Sequence, residues 1–125
     1  MGALGQVESR LAQLGITVPE VVMPVGAYVP ALREGDLVFT SGQLPMVNGA
    51  MAATGQVGEG EGLVSPAQAK ELAAASALNA IAAVKAVVGD LDLVTRVVKV
   101  VGFVASDPAF TGHPGVINGA SELLG

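Results

Sequence analysis

The sequence predicts an α+β fold, a two-layer sandwich in which a mixed β-sheet carries two helices on one face. Three observations predict it. Short β-branched runs bounded by Gly and Pro occupy residues 20 to 51, as strands and hairpins do. A long alanine-rich segment with clear start and stop signals follows. After it come a valine-rich run and a second helical pattern, so the order is strand, strand, strand, hairpin, helix, strand, helix. Two helices on one face require a sheet wide enough to cover both. A chain of 125 residues suffices for one such domain with a core of its own. It reads as a single domain over residues 1–125, with residues 1–18 as an amino-terminal helical extension.

Residues 6–15 place Val7, Leu11 and Leu14 at helical spacing with Gly15 as the stop signal, a short amphipathic helix expected against the outside of the sheet. Pro19 and Pro24 bracket Glu20-Val21-Val22-Met23, expected as an edge strand because proline is tolerated there. Arg33-Glu34-Gly35-Asp36 reads as a hairpin turn into Leu37-Val38-Phe39-Thr40, a strand expected at a buried, central position. That strand runs into Ser41-Gly42-Gln43, small and polar where a core strand would continue apolar. Two readings stay open here. Gly42, with no Cβ, offers an approachable backbone amide of the kind found in small-molecule sites; alternatively, the hydroxyl and the amide simply cap their own backbone.

Val47-Asn48-Gly49-Ala50 carries a strong hairpin signal, since type I′ turns need positive φ at both central residues. The four glycines between Gly55 and Gly62 mark a mobile connector; no lysine follows them as in a phosphate loop. Ser65-Pro66-Ala67-Gln68 opens a helix with a capping hydroxyl, a first-turn proline and a capping-box glutamine, and Gly89 ends it. Its bulkier stripe, Leu78, Ile81, Val84 and Val88, is expected to cover the sheet, with Asn79 a surface or backbone-bonding residue. Residues 93–104 read as a long strand with two apolar faces, central or buried at an interface. Ser106-Asp107-Pro108 opens a loop carrying His113, the only histidine, and residues 114–125 form the second helix. A helix ending at Leu124 leaves valine-rich strand edges uncovered, so further strands are expected beyond Gly125.

Composition narrows the function classes. The chain is 51% hydrophobic and only 14% charged, against a usual charged share of about 25%. Gly, Pro or charge breaks the apolar runs every few residues, so no membrane span and no membrane partner are expected. The excess apolar surface then belongs in subunit contacts, which predicts an oligomer. Without cysteine there is no disulfide or thiolate metal site, consistent with a cytoplasmic protein. A lone histidine makes any metal site improbable, and no cofactor is expected. A net charge of −5 with six Lys and Arg argues against a nucleic-acid partner.

Gly26-Ala27-Tyr28-Val29-Pro30 followed by GDLVFTSGQLP resembles the signature of the RidA/YjgF family of reactive-intermediate deaminases, also called the L-PSP endoribonuclease or translation-inhibitor family. LVTRVVKVVGFVASDPAF and Val116-Ile117-Asn118 resemble two further family blocks, and the likeness covers most of the chain from residue 24. The amino-terminal helix, the His113 loop and the wording NGASELL place it nearer a longer, poorly characterised subgroup. The resemblance implies a chorismate-mutase-like fold, with trimers whose sheets close into a barrel and a ligand cleft at each subunit interface. It also implies hydrolysis of 2-imino acids to 2-keto acids and ammonia, with a small carboxylate as substrate or ligand. By motif, Tyr28, Ser41 and Gly42 would line the cleft and Asn118 would lie near it. The family's carboxylate-binding arginine and water-positioning glutamate belong to strands after the second helix; none of Arg10, Arg33 or Arg96 matches that arginine's motif. The same scaffold as a non-catalytic ligand-binding or interaction protein is the alternative, and RNA cleavage follows from the older name alone.

Overall fold

In a computed structural model the described residues are 5–24 and 26–125. The first four residues of the expected 1–18 extension therefore lie outside the described residues. The elements run α1 (Gln6–Gln13), β1 (Ala31–Glu34), β2 (Leu37–Thr40), β3 (Met46–Val47), β4 (Ala50–Met51), α2 (Pro66–Val88), a 3-10 turn (Leu91–Leu93) and α3 (His113–Leu124). They divide between two compact units, residues 1–43 with 79–97 and residues 44–78 with 98–125.

In the first unit the structure turns on a carboxylate. The cap position of α1 is Gly5, which has no side chain to satisfy the first amides of the helix. Asp92, from the 3-10 turn, does so instead: its two oxygens accept the Gln6 and Val7 N–H groups at 2.7 and 2.8 Å. A Cβ on Gly5 would stand 2.7 Å from the Asp92 carboxylate, so the bare glycine is what lets the carboxylate in. Asp90 in turn accepts the Asp92 N–H at 2.9 Å and fixes the turn that presents it. Glu8 pairs with Lys85 of α2, a second tie on the same helix. At the other end Gly15 adopts φ of 76° and Ile16 N–H reaches back to Leu11 C=O at 2.8 Å, a Schellman closure. Leu11 and Leu91 are the large side chains buried here.

β1 and β2 form the expected hairpin, with Leu32 opposite Phe39, Arg33 opposite Val38, and Gly35 at φ of 58° in the turn. Arg33 Nε donates to the Gly35 carbonyl at 2.9 Å and braces it. The strand expected to be buried and central is neither, however. β2 has β1 as its sole ladder partner among the described residues, and Phe39 is 57% exposed.

The second unit is built around Val57, Val64, Ala69 and Val116, with Leu72, Ala73, Val104 and Phe110 packed on them. Val57 is its junction: its N–H donates to Ala105 C=O at 2.8 Å and its C=O accepts from Asp107 at 2.9 Å. Val64 N–H reaches Gln56 C=O and Gly58 N–H reaches Val64 C=O, closing the glycine-rich segment upon itself. The segment read as a mobile connector is therefore tied into the core at its two valines. β3 and β4 flank Asn48 and Gly49 at φ of 52° and 84°, the type I′ geometry the Asn-Gly pair predicts. Ser65 Oγ caps α2 by accepting the Gln68 N–H at 3.2 Å, and Gly89 ends that helix at φ of 84°. α3 lies so close to the first turns of α2 that a Cβ on Gly119 would collide with the Lys70 carbonyl oxygen.

Several expectations change. Glu20–Met23 forms no strand, because no neighbouring strand is there to pair with it. The run 93–104 likewise enters no ladder; residues 95–104 make no backbone hydrogen bond among the described residues, and Phe103 is 93% exposed. Instead of one mixed sheet there are two separate two-stranded antiparallel sheets. α1 packs on the 3-10 turn rather than on a sheet. On α2 the alanine face is the buried one, with Ala82 and Ala83 at 2% and 1% exposure, while Leu78, Ile81, Val84 and Val88 are half-buried. Asn79, expected at the surface or bonded to the backbone, is not at the surface: it is 3% exposed. Alanine also gives α2 a mean hydropathy of 1.5 over 18 residues, so by length and composition it is apolar enough to cross a membrane, contrary to the sequence expectation.

Backbone N–H donation holds the Asp92 carboxyl below its ordinary value of 3.8. A carboxylate with a depressed folded pKa contributes stability above its unfolded pKa and loses it as pH falls through the folded value. Asp92→Asn is expected to remove helical circular dichroism from α1 at neutral pH. It should also flatten the acid-unfolding curve below about pH 4 relative to the parent chain. Gly119→Ala is expected to cost about 1–3 kcal/mol in urea unfolding, since the obstacle is backbone and cannot rotate away.

Candidate functional site

Tyr28, Ser41 and Gly42 fall in the first unit and Asn118 in the second. Tyr28 lies in the bend after Gly26, exposed, its ring close enough that a Cβ on Gly26 would stand 2.9 Å from Tyr28 Cε1. The glycine thus leaves the space in which the ring folds back. Ser41 continues the hairpin: its N–H and its hydroxyl both donate to Pro30 C=O, at 2.9 and 3.1 Å. Gln43 Nε2 donates to Ser41 C=O at 3.3 Å. Of the two readings left open by the sequence, the side chains follow the second and cap their own backbone.

Gly42 follows the first. It is exposed, its N–H makes no hydrogen bond among the described residues, and a Cβ built on it would meet nothing within 4 Å. Ser41, bonded to Pro30, precedes Gly42 and Pro45 follows three residues later. An N–H of this kind can donate to a carboxylate oxygen or to an imine nitrogen lone pair. Asn118 is an exposed residue of α3. None of the four is bonded to a charged side chain among the described residues. A cleft of about 120 Å³ in the first unit lies elsewhere, against Glu8, Leu11, Ile16 and Lys85. Among the described residues no three His, Asp or Glu side chains gather as metal ligands.

The sequence reading passed over one pair. Ser106 Oγ and His113 Nε2 are 2.9 Å apart, both half-buried, in the second unit. His113 is the first residue of α3 rather than an exposed loop residue. The signal available was Asp107-Pro108, a turn former that folds a seven-residue separation into contact.

A description of the YjgF/chorismate mutase-like family, glossed "putative endoribonuclease", matches residues 8–125. Protein TCP17 of Trypanosoma cruzi is 38% identical over 122 residues, 98% of this chain and 74% of that protein. A protein of unknown function from Agrobacterium tumefaciens superposes with a TM-score of 0.82 at 44% identity, over 94% of this chain and 70% of that one. A "putative endoribonuclease" from Shewanella oneidensis superposes at 0.81 with 28% identity, over 94% and 76%.

The two glycines of this hairpin are expected to respond differently to a methyl group. Gly35→Ala, at positive φ, should cost about 1–2 kcal/mol. Gly42→Ala, with open space around it and no positive φ, should stay within about 0.5 kcal/mol of the parent. Urea midpoints of the two variants make the comparison.

Proposed function

Because this chain belongs to the YjgF/chorismate mutase-like family, we propose that it binds small carboxylate-bearing molecules beside Gly42 and hydrolyses reactive 2-imino acids to 2-keto acids and ammonia. One observation carries the reading: a backbone amide at Gly42 that makes no hydrogen bond among the described residues, at an exposed position where a Cβ would meet nothing. Imine hydrolysis adds water across the C=N bond and then breaks C–N. It needs an anchor for the carboxylate, a group to orient the imine and a base to direct the water. The Gly42 N–H serves the first or second of these needs. Tyr28 offers a hydroxyl on the same unit, and Ser41 acts by fixing the backbone that presents the amide. Asn118 is carried as a ligand-contacting residue on its motif alone, without geometry.

We place this activity in a cytoplasmic homotrimer. Exposed Leu32 and Phe39 on the β1–β2 hairpin, and the unpaired 95–104 stretch, are surfaces that subunit contact would cover. A second reading, a non-catalytic ligand-binding protein on the same scaffold, is favoured by the absence of an acid or base bonded to the four residues among the described ones. RNA cleavage, which the glosses on the relatives suggest, fits a net charge of −5 least well.

The test couples the protein to a threonine dehydratase and follows keto-acid release against semicarbazide trapping of the imine. Acceleration that Gly42→Val lowers at least tenfold, with the fold intact, supports the deaminase. No acceleration together with saturable binding of 2-oxobutyrate, lost in Gly42→Val, gives the binding protein instead. Cleavage of a labelled RNA with neither effect would overturn both.

A further inference from the structure

Independently of that reading, we propose that Ser106 and His113 form a nucleophile–base pair able to take an acyl group from an activated ester. The two polar atoms stand 2.9 Å apart, the distance at which an imidazole nitrogen takes a hydroxyl proton as the oxygen attacks. Both ends of the short loop between them are anchored. The Ala105 C=O and the Asp107 N–H, on either side of Ser106, are both bonded to Val57, which holds the serine backbone in place. The loop itself is self-bonded: Asp107 Oδ2 accepts the Ala109 N–H at 3.2 Å, and Phe110 N–H reaches Asp107 C=O at 2.9 Å. Phe110, a core residue, then lies tilted against the His113 ring with centroids 5.2 Å apart and fixes its plane. An imidazole so confined keeps Nε2 directed at the hydroxyl, the part an orienting residue plays in other nucleophilic pairs. Half-exposure of both residues leaves the oxygen reachable. α3 opens at His113 without a side-chain cap; Pro114 has no N–H and the Gly115 and Val116 amides are bonded to the Gly112 carbonyl, so the pair is proposed without an oxyanion hole.

In the step itself the Ser106 Oγ–H proton passes to Nε2, with the ring proton on Nδ1, and a bond forms from Oγ to the ester carbonyl carbon. The tetrahedral species collapses, the C–O bond to the leaving group breaks, and that oxygen takes the proton back from His113. The products are acyl-Ser106 and one alcohol, with no oxidation or reduction.

The parent chain is incubated with p-nitrophenyl acetate and, separately, with an alkyl fluorophosphonate, and intact mass and peptide mapping locate the adduct. One adduct per chain on Ser106 is expected, with the label abolished in Ser106→Ala. In His113→Gln, with unchanged circular dichroism, the rate should fall at least 100-fold. Absence of label on Ser106 in the parent chain overturns the proposal, and so does labelling of equal rate in His113→Gln. Neither readout involves imine hydrolysis, so the two proposals stand or fall separately.

Discussion

How closely one backbone can approach another is the constraint on which this structure rests. The buried face of α2 is made of alanine rather than of leucine or valine, and Gly119 lets α3 come onto the Lys70 carbonyl with no side chain between them. Small residues give up the large transfer energy of a branched side chain and gain close contact along the helix in return. The arrangement has little tolerance, because a backbone contact cannot relax by changing a rotamer. Gly102 has a similar role with a side chain as neighbour: a Cβ there would collide with Ile117 of α3.

With side chains kept small, polar backbone groups do the work that larger residues do elsewhere. Asp92 caps a helix 85 residues earlier in the chain; Val57 ties together the Gly55–Gly62 segment and the residues around Ser106. Gly42 belongs to the same economy, as a donor left over when its neighbours had used Pro30.

Local signals were legible wherever residue chemistry dictates local geometry. Ser65 and Pro66 opened α2, Asn48-Gly49 made its turn, and Gly15, Gly35 and Gly89 adopted the positive φ that ends or reverses an element. Pairing partners were not legible. Residues 93–104 have every mark of a strand, yet a ladder needs a neighbour, and propensity cannot supply one. The burial of Asn79 was not legible, because position on a helix wheel does not reveal which face is covered when nearly every residue is small. Of the candidate site, the openness of Gly42 followed from its lack of a Cβ, whereas the Ser106–His113 contact depended on loop closure that spacing does not encode. The Asp92 cap lay beyond any local rule, its partners being too far away in the chain.

The unbonded stretch from Thr95 to Val104 also divides the chain by timescale. Its amides make no backbone hydrogen bond among the described residues, and amides of that kind exchange protons for deuterons without waiting for a helix or ladder to open. Those inside α2 exchange only when the helix opens. A single polypeptide thus carries, within a few residues of each other, some of its slowest and some of its fastest clocks. Whatever covers the valines of that stretch would be recorded first as a slowing there.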